Sequence, residues 1–460
     1  MLLGALLLRP IHDVDIFWQL KLGELVLDHG ALVTTEPFAA SHLGEPLAQL
    51  AWLGQIVLAA VRRIGGWPSL QLFDALLWLG GFCAAGWAVR RSMAAPAGVV
   101  AAVILAFPFA RPYSSLRPQS FAVLGFGLLI ALLTAQLRWQ AKLLLGAVLL
   151  VLWQNLHPSV AVALVYLGVR AGWGWLMLMA RRRDQPPWLD SALAMCAALA
   201  VFATPMGTDL IAIAAHNAAA STAMLVDEWQ SVWSPANTRL LPTLIPVPLL
   251  FLSLLVMLRD KLDWEWLLPS LALLAASALA VRFSPFWAIS AIPVLAPLLT
   301  RQTEPDPAAG RECAGAAIGL GLAAVLALAF HQPRFAEWLP LKGVAALQAE
   351  QVHGTVFAEL PWGGPLIDGG YPDWQVALDG RYYVYSDAEL ATARTVGAEP
   401  SALLQIERIW APSALLLDPE VSGNLIHQLR GQPHAWREIQ TGDFSVAFVR
   451  VKPVPAAAGR

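Results

Sequence analysis

From about residue 68 to residue 330 the chain is a succession of apolar stretches, rich in Leu, Ala, Val and Trp, separated by short polar breaks. They fall at approximately 68–89, 95–110, 119–137, 143–156, 159–180, 190–207, 242–258, 264–281, 284–300 and 313–330, and each predicts a helix that crosses a bilayer. Residues 1–9 are apolar but too short to span alone. They predict the end of a first span that begins before residue 1, for a total of about 11 spans. Basic clusters stand at alternate ends of the stretches: Arg90 and Arg91, Arg138 and Lys142, Arg181 to Arg183, Arg259 and Lys261, Arg301 and Arg311. Such clusters favour the cytoplasmic side. The other ends therefore face outward, and they carry Asp13 and Asp15, Arg111 to Arg117, Trp153 to His157, Asp227 to Trp229, and Arg282.

Outside this region the pattern changes. Between Arg9 and Arg62 the only Lys or Arg is Lys21, against Asp13, Asp15, Glu24, Asp28, Glu36 and Glu45, which marks residues 10–66 as an external loop. Phe17, Leu20, Glu24 and Leu27 recur at helical spacing and predict an amphipathic helix over 16–27. Residues 50–64 are apolar but short and end in Arg62-Arg63 before Gly65-Gly66, which predicts a helix lying at the interface or dipping into it. Residues 204–240 form a second long, polar external loop. Beyond His331 the apolar runs shrink to strand length at 355–360, 375–378, 414–417 and 445–451, with helical patterns at 386–395, 401–409 and 421–430. The fold class expected is a polytopic α-helical membrane protein over 1–330 with a C-terminal extracytoplasmic α/β domain over 331–452 and a tail over 453–460.

Composition narrows the class further. With 57% hydrophobic and 13% charged residues, the chain is neither an ordinary soluble domain nor a disordered one. Its 20 Trp and 17 Phe suit a protein whose rings sit among lipid headgroups, so membrane lipids are expected partners. A net charge of −2 gives no basis for a nucleic-acid partner. Cys83, Cys196 and Cys313 lie inside apolar stretches and are expected to be buried small hydrophobes, not metal ligands or disulfides. The sequence contains no Walker loop, dinucleotide fingerprint, zinc spacing or Ser-His-Asp signature. No organic cofactor is expected.

Several outward-facing residues carry chemistry. Asp13 and Asp15 precede a predicted helix, where Asp commonly acts as a start signal; they also provide paired carboxylates for a base or a cation. Arg111, Arg117 and Arg282 stand on the side where basic residues are disfavoured. Each is either a phosphate ligand or a side chain snorkelling to headgroups. Asn155 and His157 close a span before Pro158, so they either end the helix or bind substrate. Glu228, within Asp227-Glu228-Trp229, is a solvated loop acid or an acceptor contact. Asp379-Gly380-Arg381 with Tyr382 and Tyr383 is a tight turn packing one domain on the other, or a cover over the substrate.

The order of these motifs resembles the GT-C membrane glycosyltransferases, and most closely an uncharacterised bacterial branch of GT-C-like proteins. That branch has Asp-x-Asp-x-Trp-Trp-His-Leu-x-x-Gly, then Thr-Asp-Pro-Phe-Ser, then Trp-Leu. Here the pattern stands as Asp13-Val14-Asp15-Ile16-Phe17-Trp18-Gln19-Leu20-Lys21-Leu22-Gly23, then Thr35-Glu36-Pro37-Phe38-Ala39, then Trp52-Leu53. Arg117-Pro118-Gln119, Trp153 to His157, Glu228-Trp229 and Asp379-Gly380-Arg381 extend the likeness over nearly the whole chain. Gln19 replaces the usual His, and Glu36 the usual Asp.

The resemblance implies transfer of a sugar from a polyprenyl-phosphate donor to an extracytoplasmic glycan, lipid or protein at a bacterial inner membrane, by an inverting reaction. Asp15, by its spacing to Gly30, takes the place of the family's catalytic Asp, with Asp13 beside it. Trp18, Glu36, Arg111, Arg117, Asn155, His157, Glu228, Arg282, Asp379 and Arg381 form the expected substrate-binding set. A divalent cation at Asp13 and Asp15 is a less favoured possibility, because lipid-monophosphate enzymes of this fold resemble metal-independent ones. Two rival functions stay open: a transporter or flippase of a lipid-linked or polar substrate, and a non-catalytic scaffold for surface polysaccharide, the latter suggested by Gln19.

Overall fold

A computed structural model of the chain describes residues 2–92, 94–300, 309–396, 399 and 401–451. Arg301 and the tail 453–460 lie outside the described residues, as does the side chain of Cys313. Every apolar stretch predicted as a span contains a helix, beginning with Leu2–Leu7. Among the described residues, five helices are long and apolar enough to cross a membrane: Trp52–Ser92, Pro96–Tyr113, Trp139–Leu156, Ala161–Met179 and Val281–Leu299. Pro235–Leu244 and Pro246–Met257 form a sixth candidate bent by 45°. The expectation of about 11 spans rests otherwise on shorter apolar helices at Gln119–Thr134, Trp188–Ala200, Trp264–Leu279 and Ile318–Phe330.

Glycine allows the central helices to meet closely. A Cβ at Gly127 of the Gln119–Thr134 helix would run into the backbone of Gly81, so the two chains touch there with no side chain between them. Aromatic rings fill the next layer: Phe126 meets Trp153, Tyr166 and Phe286. The outer faces expose Leu144, Leu145, Val256, Met257 and similar residues, as contact with lipid tails requires. One expectation fails on this surface and one holds only in part: Cys83 is exposed, and Cys196 is half-buried against the core. A small thiol on a helix costs nothing facing lipid, and periodicity alone does not show which face it takes.

Residues 52–64 are helical, as expected, but they continue into 67–92 across a break at Gly65 and Gly66, where Gly66 has φ 64°. The first part packs on the amphipathic helix, which runs Asp15–His29 and ends at left-handed Gly30. The loop 204–240 is less irregular than expected, since Asp209–Ala223 is a helix rich in Ala.

The C-terminal domain holds one sheet of five strands, β1 (Gly354–Ala358), β2 (Trp374–Val376), β3 (Ala414–Leu417), β4 (Trp436–Thr441) and β5 (Val446–Arg450), in the order β2-β1-β3-β5-β4. β1 pairs in parallel with β2 and β3; β5 runs antiparallel to β3 and β4. The helices Leu341–Ala349 and Gly363–Gly370 were not expected, and Trp362-Gly363-Gly364 leads into the second of them, with β2 further on.

This domain is stitched to the first long loop, residues 10–66. Ile11 bridges Phe335, Ala39 bridges Val376, and Arg62 grips Asp368 with two hydrogen bonds of 2.7 and 2.9 Å. Below the loop, Arg9 pairs with Asp74 inside the bundle, and Ser120 and Trp78 complete the cluster. At the other end of the bundle, Arg170 and Arg183 pair with Glu265, and Arg170 also with Asp190.

Candidate active site

Asp13 and Asp15 divide two tasks that the sequence left joined. Asp13 Oδ1 accepts the backbone N–H of Asp15 at 2.9 Å, so Asp13 satisfies the start of the helix. The Asp15 carboxylate is thereby released from capping. It accepts the indole N–H of Trp18, one turn on, at 3.0 Å and faces a cavity of about 440 Å³. Gly380 of the C-terminal domain closes in from the other side; a Cβ there would lie 2.7 Å from Asp15 Oδ1.

The cavity draws its walls from distant parts of the chain. Arg117 and Gln119 come from the start of the Gln119–Thr134 helix, Gln154 and His157 from the end of Trp139–Leu156, and Arg282 from the start of Ser284–Leu299. Asn217 and Ser221 come from Asp209–Ala223, Glu228 and Trp229 from the turn after it, and Tyr382 and Tyr383 from the C-terminal domain.

Charge is concentrated here. Arg117 pairs with Glu228 and lies 3.4 Å from Asp13. Arg282 Nη1 lies 3.7 Å from Glu228, and its guanidinium sits 3.8 Å from the centroid of the Trp229 ring. His157 Nδ1 meets Ser159 Oγ at 2.8 Å, which leaves Nε2 for the cavity.

These neighbours set protonation. Burial, reinforced by the Asp13 charge, raises the Asp15 carboxyl to about 7, against opposing effects from Trp18 and Arg117. Burial alone would raise Glu228, but Arg117 and Arg282 outweigh it and hold the carboxyl at about 2. Burial followed by the charges of Arg282 and Arg117 lowers His157 to about 3, so its imidazole is neutral at neutral pH. Burial works against the Arg117 cation, yet Glu228 and Asp13 raise its pKa overall. The site thus offers a carboxylate poised to take a proton, two cations for an anion, and a neutral imidazole for hydrogen bonding.

Of the expected site residues, Asp15, Trp18, Arg117, His157, Glu228 and Arg282 line this cavity, with Asp13 directly behind. Five others are elsewhere. Glu36, Asp379 and Arg381 form a buried cluster between the first loop and the C-terminal domain: Arg381 donates to Glu36 at 2.6 and 2.9 Å and to Asp379 at 2.6 and 2.9 Å. Their hydrogen-bonding capacity is turned on one another. Asn155 accepts from Trp52 at 2.8 Å and donates to the carbonyls of Val151 and Ala203, tying helices together. Arg111 is exposed at the end of its helix and does not line the cavity. Tyr382, Tyr383, Asn217 and Ser221 were missing from the expected set. The tyrosines were visible beside Asp379-Gly380-Arg381. Asn217 and Ser221 carried no signal, because the Ala-rich helix holding them resembled a loop. Among the described residues, no three His, Cys, Asp or Glu are grouped to hold a metal ion.

An apolar helical body, a long first loop carrying Asp15, and an α/β domain capping one cavity make up a GT-C-type fold. The chain is similar over 98% of its length to the crystal structure of ArnT from Cupriavidus metallidurans in the apo state, covering 96% of that chain with a TM-score of 0.57 and 13% identity. An oligosaccharyltransferase from Archaeoglobus fulgidus, also in the apo form, aligns over 89% of this chain and 66% of its own, with a TM-score of 0.46 and 10% identity. No protein-family model and no curated protein matches the sequence.

Proposed function

We propose that the chain is a glycosyltransferase of a bacterial inner membrane, moving a sugar from a polyprenyl-phosphate donor to an acceptor outside the cytoplasm, with inversion at the anomeric carbon. The observation that carries this reading is the convergence of Asp15, Arg117, His157 and Arg282 on one cavity roofed by the C-terminal domain. A scaffold permits these groups to be dispersed, whereas an enzyme requires one shared cavity. A transporter predicts a second, inverted half, and the sequence has no internal repeat.

In this reading the acceptor hydroxyl oxygen attacks C1 of the donor sugar while Asp15 takes its proton. The bond from C1 to the phosphate oxygen breaks, and its electrons leave with the lipid phosphate, whose charge Arg117 and Arg282 balance. Asp13 holds Asp15 in place, and neutral His157 hydrogen-bonds phosphate or acceptor. The reaction as written uses no organic cofactor. Trp18, Trp229, Tyr382 and Tyr383 give the cavity aromatic walls suited to a sugar ring. With the basic clusters inside, the C-terminal domain lies outside the cytoplasm; an alkaline phosphatase fused after residue 451 is expected to be active, and a cytoplasmic-only reporter silent.

The decisive test compares wild type with Asp15→Asn for lipid-linked sugars and surface glycans. The variant is expected to accumulate the donor and lose a glycan modification while reaching the membrane in normal amount. Unchanged products from a stable variant refute the role of Asp15.

A further inference from the structure

Glu228 occupies the position where an anionic ligand belongs. Its carboxylate lies between two guanidinium groups from different elements, paired with Arg117 Nη2 and 3.7 Å from Arg282 Nη1. All three side chains line the cavity. The cluster differs in kind from the other buried one. Around Arg381 every guanidinium nitrogen has a carboxylate oxygen within 2.9 Å. Arg117 Nε and Arg282 Nη1, by contrast, are buried without a hydrogen-bond partner among the described residues. Glu228 bonds Arg117 Nη2 but stands 3.7 Å from Arg282 Nη1, and Asp13 stands 3.4 Å from Arg117 Nε, so the nearby carboxylates leave both nitrogens without a hydrogen bond. A phosphate has more acceptor oxygens, and its negative charge suits the same cations. Glu228 also sits on a three-residue turn, Asp227–Trp229, and not on a spanning helix, so its departure disturbs no membrane packing.

We propose that Arg117 and Arg282 form an exchangeable oxyanion site for the phosphate of a lipid donor, and that Glu228 is its internal occupant. The proposal rests on the glycosyltransferase reading above. The donor phosphodiester carries one negative charge and replaces the one on Glu228. Transfer leaves a phosphate monoester with up to two charges, which two arginines hold more tightly. The return of Glu228 to the pair then drives out the spent lipid phosphate. Glu228 thus sets product release, while Asp15 carries the proton transfer.

The test uses the full chain in detergent, with farnesyl phosphate as the probe and farnesol and inorganic phosphate as controls. Glu228→Gln is expected to bind farnesyl phosphate about tenfold more tightly than wild type, because the site no longer spends most of its time self-occupied. Farnesol binding should not move, and inorganic phosphate should bind more weakly than farnesyl phosphate. Arg117→Gln and Arg282→Gln should each weaken farnesyl phosphate by about tenfold or more. In turnover, Glu228→Gln is expected to lower KM and kcat together, as slow product release requires. Where Glu228→Gln does not fold, Glu228→Asp, whose shorter arm reaches both guanidinium groups less well, should tighten binding to a smaller degree. Unchanged or weaker binding in the Glu228 variants, with the arginine variants impaired, makes Glu228 a positioning residue and overturns the exchange, leaving the function above intact. Wild-type affinity in both arginine variants overturns the phosphate site itself. Equal affinity for inorganic and farnesyl phosphate overturns the lipid assignment.

Discussion

Replacing Arg381 by Met should detach the first long loop from the C-terminal domain. Arg381 is fully buried, and its side chain donates to Glu36 at 2.6 and 2.9 Å and to Asp379 at 2.6 and 2.9 Å. The replacement fills similar volume but leaves two carboxylates, 3% and 0% exposed, without a counter-charge. Breaking a buried pair in this way costs about 3–5 kcal/mol. Part of that cost is offset here. The backbone N–H groups of Phe38 and Ala39 still donate to Glu36 at 2.7 and 2.8 Å, and the Tyr385 hydroxyl to Asp379 at 2.9 Å. The lower end, about 3 kcal/mol, is therefore expected, which corresponds to roughly a hundredfold more frequent local opening. Hydrogen exchange followed by mass spectrometry reads this directly, as faster exchange in peptides covering residues 34–40 and 376–385. Arg437→Met is the control: its pair with Glu350 is exposed, where such bridges contribute about 0–1 kcal/mol, and should change exchange only a few-fold. Protection in Arg381→Met within about threefold of wild type would mean that the cluster does not hold the two parts together, whatever its geometry.

Other predictions follow from the site and the bundle. The initial rate at low substrate should rise with pH through a midpoint near 7 and level off, because Asp15 must lose its proton to act as a base. Stability runs the opposite way: the folded chain holds that proton more tightly than the unfolded one, so the Asp15 contribution is lost as pH rises from 3.8 to about 7. A rate independent of pH between 5 and 9 would exclude Asp15 as the base, within about the usual titration range. Gly380→Ala places a Cβ 2.7 Å from Asp15 Oδ1 and should cut kcat/KM by about 10- to 100-fold with little change in unfolding temperature. Gly127→Leu drives a side chain into the Gly81 backbone and should abolish a monodisperse peak in size-exclusion chromatography, whereas Gly168→Leu, with no heavy atom within 4 Å of its added Cβ, should leave it intact.

The helical body was legible because long apolar stretches report directly on helices packed in apolar surroundings. Every predicted stretch is helical, and the Asp15–His29 helix departs from its expected bounds by only a residue or two. The strand β4 escaped notice because it is an edge strand whose outer residues, Arg437, Glu438 and Gln440, break any apolar run. The helix Gly363–Gly370 escaped because its four glycines argue against helix locally, yet close approach to Val14, Asp379, Val344 and Trp374 requires them. Within the site, the sequence brought out the charged residues but not their partners. Nothing in local spacing distinguishes Glu36, which is spent on Arg381, from Glu228, which faces the cavity; only tertiary contacts separate the two.

The chamber joins the first residues of the chain to some of the last: Asp15 on one side, Gly380, Tyr382 and Tyr383 on the other. During synthesis the acid is in place long before its roof exists. A half-made chain therefore carries Asp15 without that roof. Until Gly380, Tyr382 and Tyr383 have been made and packed against it, that carboxyl lacks part of the burial that raises its proton affinity.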